Sequence, residues 1–396
     1  MPLPDAPLSA DRYARLRLIP WWRQDVLRAA TVFVAGAGAV GNEVIKNLAL
    51  VGIGRVIVLD KDHIELSNLT RSILFSQADV RSSKAQTAAA RAQAINPDVT
   101  AIPIEADLAQ VGIGWLDGVD VVISCFDSLY GRIILNRACA RLGIPWINGG
   151  LGDQTDIFKA TLSLYHAPDG PCFECALSPG MADAELQRQL GTGGCGATEQ
   201  QAQALGAVPS TPTMASLLGA LQVQEALRLL HAKAEQPQTS PPPAWGQFAC
   251  YQAATHETFT LKQARNPRCP CHAPIRIKRV PGFTHNTPLV ALWAQADLPS
   301  DAVLGLPAAI VSAIRCPACG PFENVWEYRL HDPVCPTCQQ RVPVDHVWQF
   351  DATHPLAARS LAQIGMPSGT HLRWLAEEEI TLLWSVADKL TEGHRP

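Results

Sequence analysis

The chain is 396 residues long, 47% hydrophobic and 17% charged, with a formal net charge of −4. That length suits two or three domains, or one large domain with appendages, and the composition provides a sizeable core. The mildly acidic balance argues against a nucleic-acid or anionic-membrane partner, and no apolar run reaches the ~18 residues of a membrane span.

The N-terminal stretch "MPLPDAPLSADRYARLRLIPWW" lacks the basic-then-apolar run of a signal peptide, which predicts a cytoplasmic protein. In a reducing compartment the twelve cysteines read as metal ligands or reactive thiols before disulfides. In chain order, "TVFVAGAGAVGNEVIKNLALVGIGRVIVLD" predicts strand, glycine turn, helix, strand. Val32 to Ala35 is a short apolar run, as in a buried parallel strand, and Val40, Val44, Ile45 and Leu48 recur at helical spacing. Gly52 and Gly54 end that helix, and Arg55 to Asp60 form the second strand. A helix over Lys84 to Asn96, strands at Ala101 to Glu105 and Val119 to Ser124, a helix over Tyr130 to Leu142 and a strand in "PWINGG" follow.

This alternation predicts an α/β fold, a Rossmann-like doubly wound and mostly parallel sheet. Beyond residue 150 "IFKATLSLY" alternates as an antiparallel strand does, which extends the sheet, and Thr213 to Leu230 is a long apolar-faced helix. "EQPQTSPPPAW" (residues 235–245) reads as an exposed proline-rich loop. A main domain of residues 1–272 and an extension of 273–396 are expected, the latter with a cysteine module and a Leu- and Trp-rich tail of no clear periodicity.

Gly36, Gly38 and Gly41 form GxGxxG directly after a strand and opening a helix. Such glycines allow a tight turn and let phosphate approach amides at a helix N-terminus. Asp60 ends the next strand, where a carboxylate binds ribose hydroxyls. So far a dinucleotide dehydrogenase fits, as does a packing turn in another sheet of this class. Asn68, Arg71 and Lys84 follow on the same strand edge, and two cations with an amide suit a triphosphate better than a dinucleotide. Asp127, just past the 119–124 strand, is placed to hold Mg²⁺.

The run from Val32 to Val99 resembles the ThiF/MoeB and ubiquitin-activating-enzyme adenylyltransferases. "GAGAVGNEVIKNLALVGIGRVIVLDKDHIELSNLTR" follows that family's glycine turn, acidic strand end and "SNL-R" motif; "RSSKA" matches its lysine and "CFDS" its metal-binding aspartate. "DRYARL" resembles its "RYxR" segment, which makes Arg15 a phosphate-contacting arginine, in that family often supplied by the other subunit of a homodimer. The resemblance covers roughly residues 10–272. It implies ATP–Mg²⁺ activation of the C-terminal carboxylate of a ubiquitin-like protein ending in Gly-Gly, giving an acyl-adenylate and pyrophosphate. Arg15, Arg71, Lys84 and a metal on Asp127 would supply the charge neutralisation that this chemistry needs.

Two Zn²⁺ sites are expected. "CPAC" and "CPTC" (Cys316, Cys319, Cys335 and Cys338), fifteen residues apart, have the spacing of a closed structural site. "CFEC" (Cys172 and Cys175) resembles the first half of the family's zinc site, whose second half falls here on "NPRCPCH". The favoured ligands are Cys172, Cys175, Cys269 and Cys271, with a Cys269/His272 pair as the alternative. Cys125, Cys139 and Cys250 read as core residues.

Cys195, among the glycines of "LGTGGCGATE", falls in the interval 176–212 that in the resembled family is a crossover loop above the adenylate. Some members carry there a cysteine that takes the acyl group as a thioester and passes it to a conjugating enzyme; MoeB-like members need none. No His or Lys adjoins Cys195, so its activation does not follow from sequence. The extension looks most like that of bacterial activators of ubiquitin-like proteins, often found in defence operons. The competing readings are a sulfur-carrier adenylyltransferase of cofactor biosynthesis, a NAD-binding oxidoreductase and a non-catalytic adaptor.

Overall fold

A computed structural model describes residues 11–152, 155–189, 210–233, 244–273, 275–320, 322–328, 335, 337–340, 342, 344–376 and 378–384. Cys195 and most of the proline-rich segment lie outside the described residues. Two compact units emerge. The first takes the described residues of 1–108, 119–186 and 194–272, and the second those of 109–118, 187–193 and 273–396.

The first unit runs α1 (Gln24–Ala29), β1 (Thr31–Ala35), α2 (Ala39–Val51), β2 (Arg55–Leu59), α3 (Lys84–Ile95), β3 (Thr100–Ile104), β4 (Val121–Ser124), α4 (Leu129–Leu142), β5 (Trp146–Leu151), β6 (Lys159–Tyr165), α5 (Met181–Gln189), α6 (Pro212–Lys233), β7 (Gln247–Gln252) and β8 (Glu257–Lys262). Its strands form one sheet in the order β3-β2-β1-β4-β5-β6-β7-β8. The first five are parallel and the last three antiparallel, the α/β class with antiparallel extension that the alternation predicts. Every residue of β1 is buried, because helices cover both faces of a parallel sheet. α2 turns Val40, Val44, Ile45 and Leu48 into the core and stops at Gly52, whose left-handed φ of +75° closes the last turn.

Sequence reading did not anticipate the β7–β8 hairpin. β8 is exposed along its whole length, so it lacks the alternation that marks a strand with one buried face.

The second unit contains β9 (Arg276–Arg279), α7 (Ala291–Gln295), β10 (Leu304–Arg315), β11 (Phe322–Tyr328), β12 (Val344–Phe350), β13 (Leu372–Trp374) and β14 (Ile380–Leu383). The strands form a second sheet, β11-β10-β13-β14-β9, with β12 also paired to β10. Phe283, Leu289, Leu304, Leu361 and Leu382 anchor a core of its own. The tail without visible periodicity is therefore built from short strands: β13 has three residues and β14 four, too few to show a repeat. No helix among the described residues is long and apolar enough to cross a membrane.

Candidate active site and metal centres

β1 and β4 lie side by side, while the chain leaves β1 for β2 on one flank and β4 for β5 on the other. At such a switch point the crossover helices diverge and open a crevice at the carboxyl ends of the strands. The glycine turn fills one wall of it. Gly36 sits at φ +100°, and a Cβ on Gly41 would lie 2.0 Å from the Gly36 carbonyl oxygen, so both positions need glycine. A Cβ on Gly38 would meet nothing within 4 Å. Gly36 and Gly41 thus shape the turn, and Gly38 leaves open space at the N-cap of α2.

Arg71, Cys125, Phe126, Asp127, Gly149 and Gly150 line the cavity in front of this turn. Arg71 ends the 3-10 turn Leu66–Thr70, and its guanidinium donates to the Ser67 carbonyl at 3.0 Å. Asp127 is exposed at the mouth, one residue before the N-cap of α4. Asn68 spends its side-chain oxygen on the Glu65 amide at 3.0 Å, which shapes the turn that presents Arg71.

Asp60 accepts from the Ala37 amide at 2.7 Å and the Asp62 amide at 2.8 Å, so it ties the glycine turn to the end of β2. Burial pushes its carboxyl above the usual carboxylate range, against those two bonds and the nearby Lys84. Lys84 Nζ donates to Asp62 at 2.9 Å with its side chain only 13% exposed. The cation stands at the positive end of α3, an unfavourable place that Asp62 offsets. Arg15 is exposed on the N-terminal segment and does not line the cavity. Arg12 donates to the Ile95 carbonyl, and the buried Tyr13 bonds Asp98 and Asn96, so the segment is held by the residues before Arg15.

Three residues that build this site carried no sequence signal. Asn42, fully buried, donates to the carbonyls of Ala37 and Gly38 and accepts from the Leu74 amide, stapling the glycine turn to the segment after Arg71. Arg132 donates to the carbonyls of Phe126 and Gly149, both 3.3 Å away, and so joins two walls of the cavity. Cys125 was expected in the core but is half-buried against the glycine turn. It directly follows β4 and so meets the crevice, and burial raises its thiol far above the usual range, which makes it a poor nucleophile. Cys139 and Cys250 are buried as expected. Asp62 was inside the quoted motif; a lysine opening a helix was the available clue.

Two cysteine clusters are present among the described residues. In the second unit Cys316, Cys319, Cys335 and Cys338 bring their sulfurs within 4.8 Å of one another. In the first unit the group is Cys172, Cys175, Cys269 and His272, also within 4.8 Å. His272, the alternative, stands within this group, and Cys271, the favoured ligand, does not. The CxCH sequence bends through a 3-10 turn, Pro270–His272, that carries Cys271 to another neighbour: its Sγ donates to Glu174 Oε1 at 3.3 Å. His272 donates from Nδ1 to the Ala167 carbonyl at 3.1 Å, leaving Nε2 3.1 Å from Cys175 Sγ. An imidazole fixed through one nitrogen and thiols at this separation are the donor set of tetrahedral zinc. Both clusters fit such an ion.

The ThiF family pattern matches residues 10–271. The chain is 32% identical over 252 residues to the SAMP-activating enzyme E1 of Haloferax volcanii, covering 62% of this chain and 82% of the relative. It is 30% identical over 274 residues to the sulfur carrier protein adenylyltransferase of Thermus thermophilus, covering 66% and 89%. Among solved structures, Escherichia coli MccB superposes with a TM-score of 0.53 at 22% identity over 68% of this chain and 75% of that one, a likeness of fold. The glycine turn, the switch-point cavity and these alignments agree: the chain belongs to the ThiF family and is an adenylyltransferase.

Proposed function

We propose that residues 1–272 form the adenylation domain, which uses ATP to activate the C-terminal carboxylate of a ubiquitin-like protein ending in Gly-Gly. We further propose that Cys195, in a crossover loop of about 176–212, takes the acyl group for a conjugating enzyme. The observation that carries the first step is the cavity that Ala39 and Val40, at the start of α2, share with Arg71 and Asp127. The carboxylate oxygen attacks the α-phosphorus, the bond to pyrophosphate breaks, and acyl-adenylate forms. No protein nucleophile is consumed. The amides at the N-terminus of α2 and the Arg71 and Lys84 cations stabilise charge on the phosphates, and Asp60 receives the ribose hydroxyls. A Mg²⁺ held by Asp127 would neutralise the triphosphate further. Arg15, presented outward, acts in the partner's cavity of a homodimer. Zn²⁺ in each cysteine cluster serves structure, and the 273–396 extension docks the conjugating enzyme.

In the second step the Cys195 thiolate attacks the acyl carbon and AMP leaves, while the thiol proton passes to solvent. The Haloferax relative, named an E1, supports this reading. The Thermus relative, named for a sulfur carrier, supports a second, in which the acyl-adenylate is the final product of this chain. Incubation with ATP and a carrier ending in Gly-Gly decides. Carrier-dependent ATP–pyrophosphate exchange is expected in both cases; its absence overturns the adenylation reading for that carrier. A conjugate cleaved by thiol reductant and lost in Cys195→Ala supports the thioester. Full exchange with no such conjugate overturns it in favour of the sulfur-carrier reading.

A further inference from the structure

Adenylation brings two anions together, because a carboxylate must close on the α-phosphorus of a triphosphate. In the proposed reaction Arg71, Lys84 and the amides at the start of α2 all serve the phosphates, which leaves the incoming carboxylate without a cation. Arg132, in the first turn of α4, is unused. Its Nη2 donates to the Phe126 and Gly149 carbonyls, both 3.3 Å away, and so spends both of that nitrogen's protons. Nε is buried without an acceptor, and among the described residues Nη1 has none either. Asp127 acts on this guanidinium through space without forming an ion pair. A half-buried cation left without an ion pair is costly to a fold, and such charges gather at functional sites.

The position of Arg132 says which reactant it serves. Gly149 and Gly150 line the cavity from β5, two strands away from β1 in the sheet. At the usual strand spacing this sets the β5 wall about 10 Å from the end of β1, where the glycine turn begins. A Cβ on Gly150 would lie 3.1 Å from Arg132 Nη2 and 2.8 Å from Thr161 Oγ1, so a larger residue would crowd the guanidinium against β5. We infer that Arg132 receives the C-terminal carboxylate of the protein substrate on the β5 side of the cavity. The planar guanidinium matches a carboxylate in shape, and a fixed cation offsets the repulsion between the two anions as they close. Were bracing the two walls its whole task, an uncharged amide would serve and carry no such desolvation cost.

This inference rests on the adenylation reading, and the experiment separates the two. ATP–pyrophosphate exchange is first measured for the full-length parent with a carrier ending in Gly-Gly. No exchange overturns the adenylation reading for that carrier, and the inference with it. The protein, saturated with a non-hydrolysable ATP analogue, is then titrated with the same carrier and with its C-terminal carboxamide. The parent should bind the carboxylate form roughly 10- to 150-fold more tightly, the worth of hydrogen bonds to a charged group. Arg132→Met should lose this preference, while its affinity for the analogue without carrier stays at the parent's value. Arg132→Lys keeps the charge without the planar fork and should recover part of the preference. Arg132→Gln still has an amide to donate to a wall carbonyl; it should behave as Arg132→Met does, and it carries the test if the latter does not fold. An undiminished preference in Arg132→Met or Arg132→Gln would overturn the inference and leave the adenylation reading intact. So would an equal loss of nucleotide and carrier affinity, the mark of a brace between two walls.

Discussion

The glycine-lined cavity and the first cysteine cluster belong to one unit and are built by opposite means. The cavity is shaped by side chains that are small or missing: Ala39 on one wall, in the turn that Gly36 and Gly41 shape, Gly149 and Gly150 on another, with Arg71 and Asp127 as its charged groups. The cluster is shaped by side chains that are present, four donors gathered from two segments about a hundred residues apart and fixed by Asn136, Glu174 and Ala167. The difference teaches where each should fail. The cavity should be broken by adding an atom, the cluster by taking one away.

The largest effect tests the cavity. Gly41→Ala would drive a Cβ to 2.0 Å from the Gly36 carbonyl oxygen, a backbone atom that cannot step aside. The turn must then rearrange, and a shift of about 1 Å in a positioned phosphate site costs roughly 100-fold in rate. ATP–pyrophosphate exchange should fall by at least about that factor. Gly38→Ala is the control: its Cβ meets no protein atom within 4 Å, so the fold should be retained. Nucleotide affinity should still fall, because the added methyl occupies the space left at the α2 N-terminus. Equal unfolding in both variants would mean that Gly38 is structural and the space beside it has no occupant.

The second effect tests the cluster. Cys172→Ser should release one metal equivalent and destabilise the first unit, since metal-binding energy at such sites is folding energy. The cluster of Cys316, Cys319, Cys335 and Cys338 should keep its ion. Metal analysis before and after a chelator challenge reads this directly. Arg71→Ala comes next. Hydrogen bonds to charged groups contribute about 1.5–3 kcal/mol, so losing the phosphate contact proposed for Arg71 should cost roughly 10- to 150-fold in kcat/KM for ATP. Among the described residues its guanidinium bonds the Ser67 carbonyl, a contact within its own turn, so the melting temperature should hardly move. A large drop in stability with unchanged kinetics would make Arg71 a fold residue.

Much of this was legible in the chain, for identifiable reasons. Helices and buried strands over residues 31–165 announce themselves because local period and glycine stops coincide with their ends, as at Gly52. The regular CxxC pairs at 316–338 announce a cluster because spacing alone determines which sulfurs can meet. Which of Cys271 and His272 stands within the group was not legible, since the partners of Cys271, Glu174 and Asn136, are brought in by other parts of the fold. Cys125 packs against the core as read, but its place on the cavity wall was not legible, because an apolar strand end looks the same whether helix or crevice lies beyond it.

Asn42 gives the smallest effect and the most pointed one, because it joins the two modes: a single side chain that holds a site otherwise made of glycines. It has no exposed surface, and it satisfies the Ala37 and Gly38 carbonyls and the Leu74 amide at once. Asn42→Ala leaves that amide buried and unpaired, at a cost of about 1–3 kcal/mol. In a unit of this size each kcal/mol lowers the melting temperature by roughly 2–4 °C. The loss should be partly recovered at saturating ATP, because a ligand that binds only the ordered turn stabilises it by mass action. Apparent nucleotide affinity should fall by the fraction of molecules in which the turn is disordered. Full loss of stability with no recovery on adding ATP would mean that Asn42 supports α2 alone, and that the glycine turn keeps its shape without it.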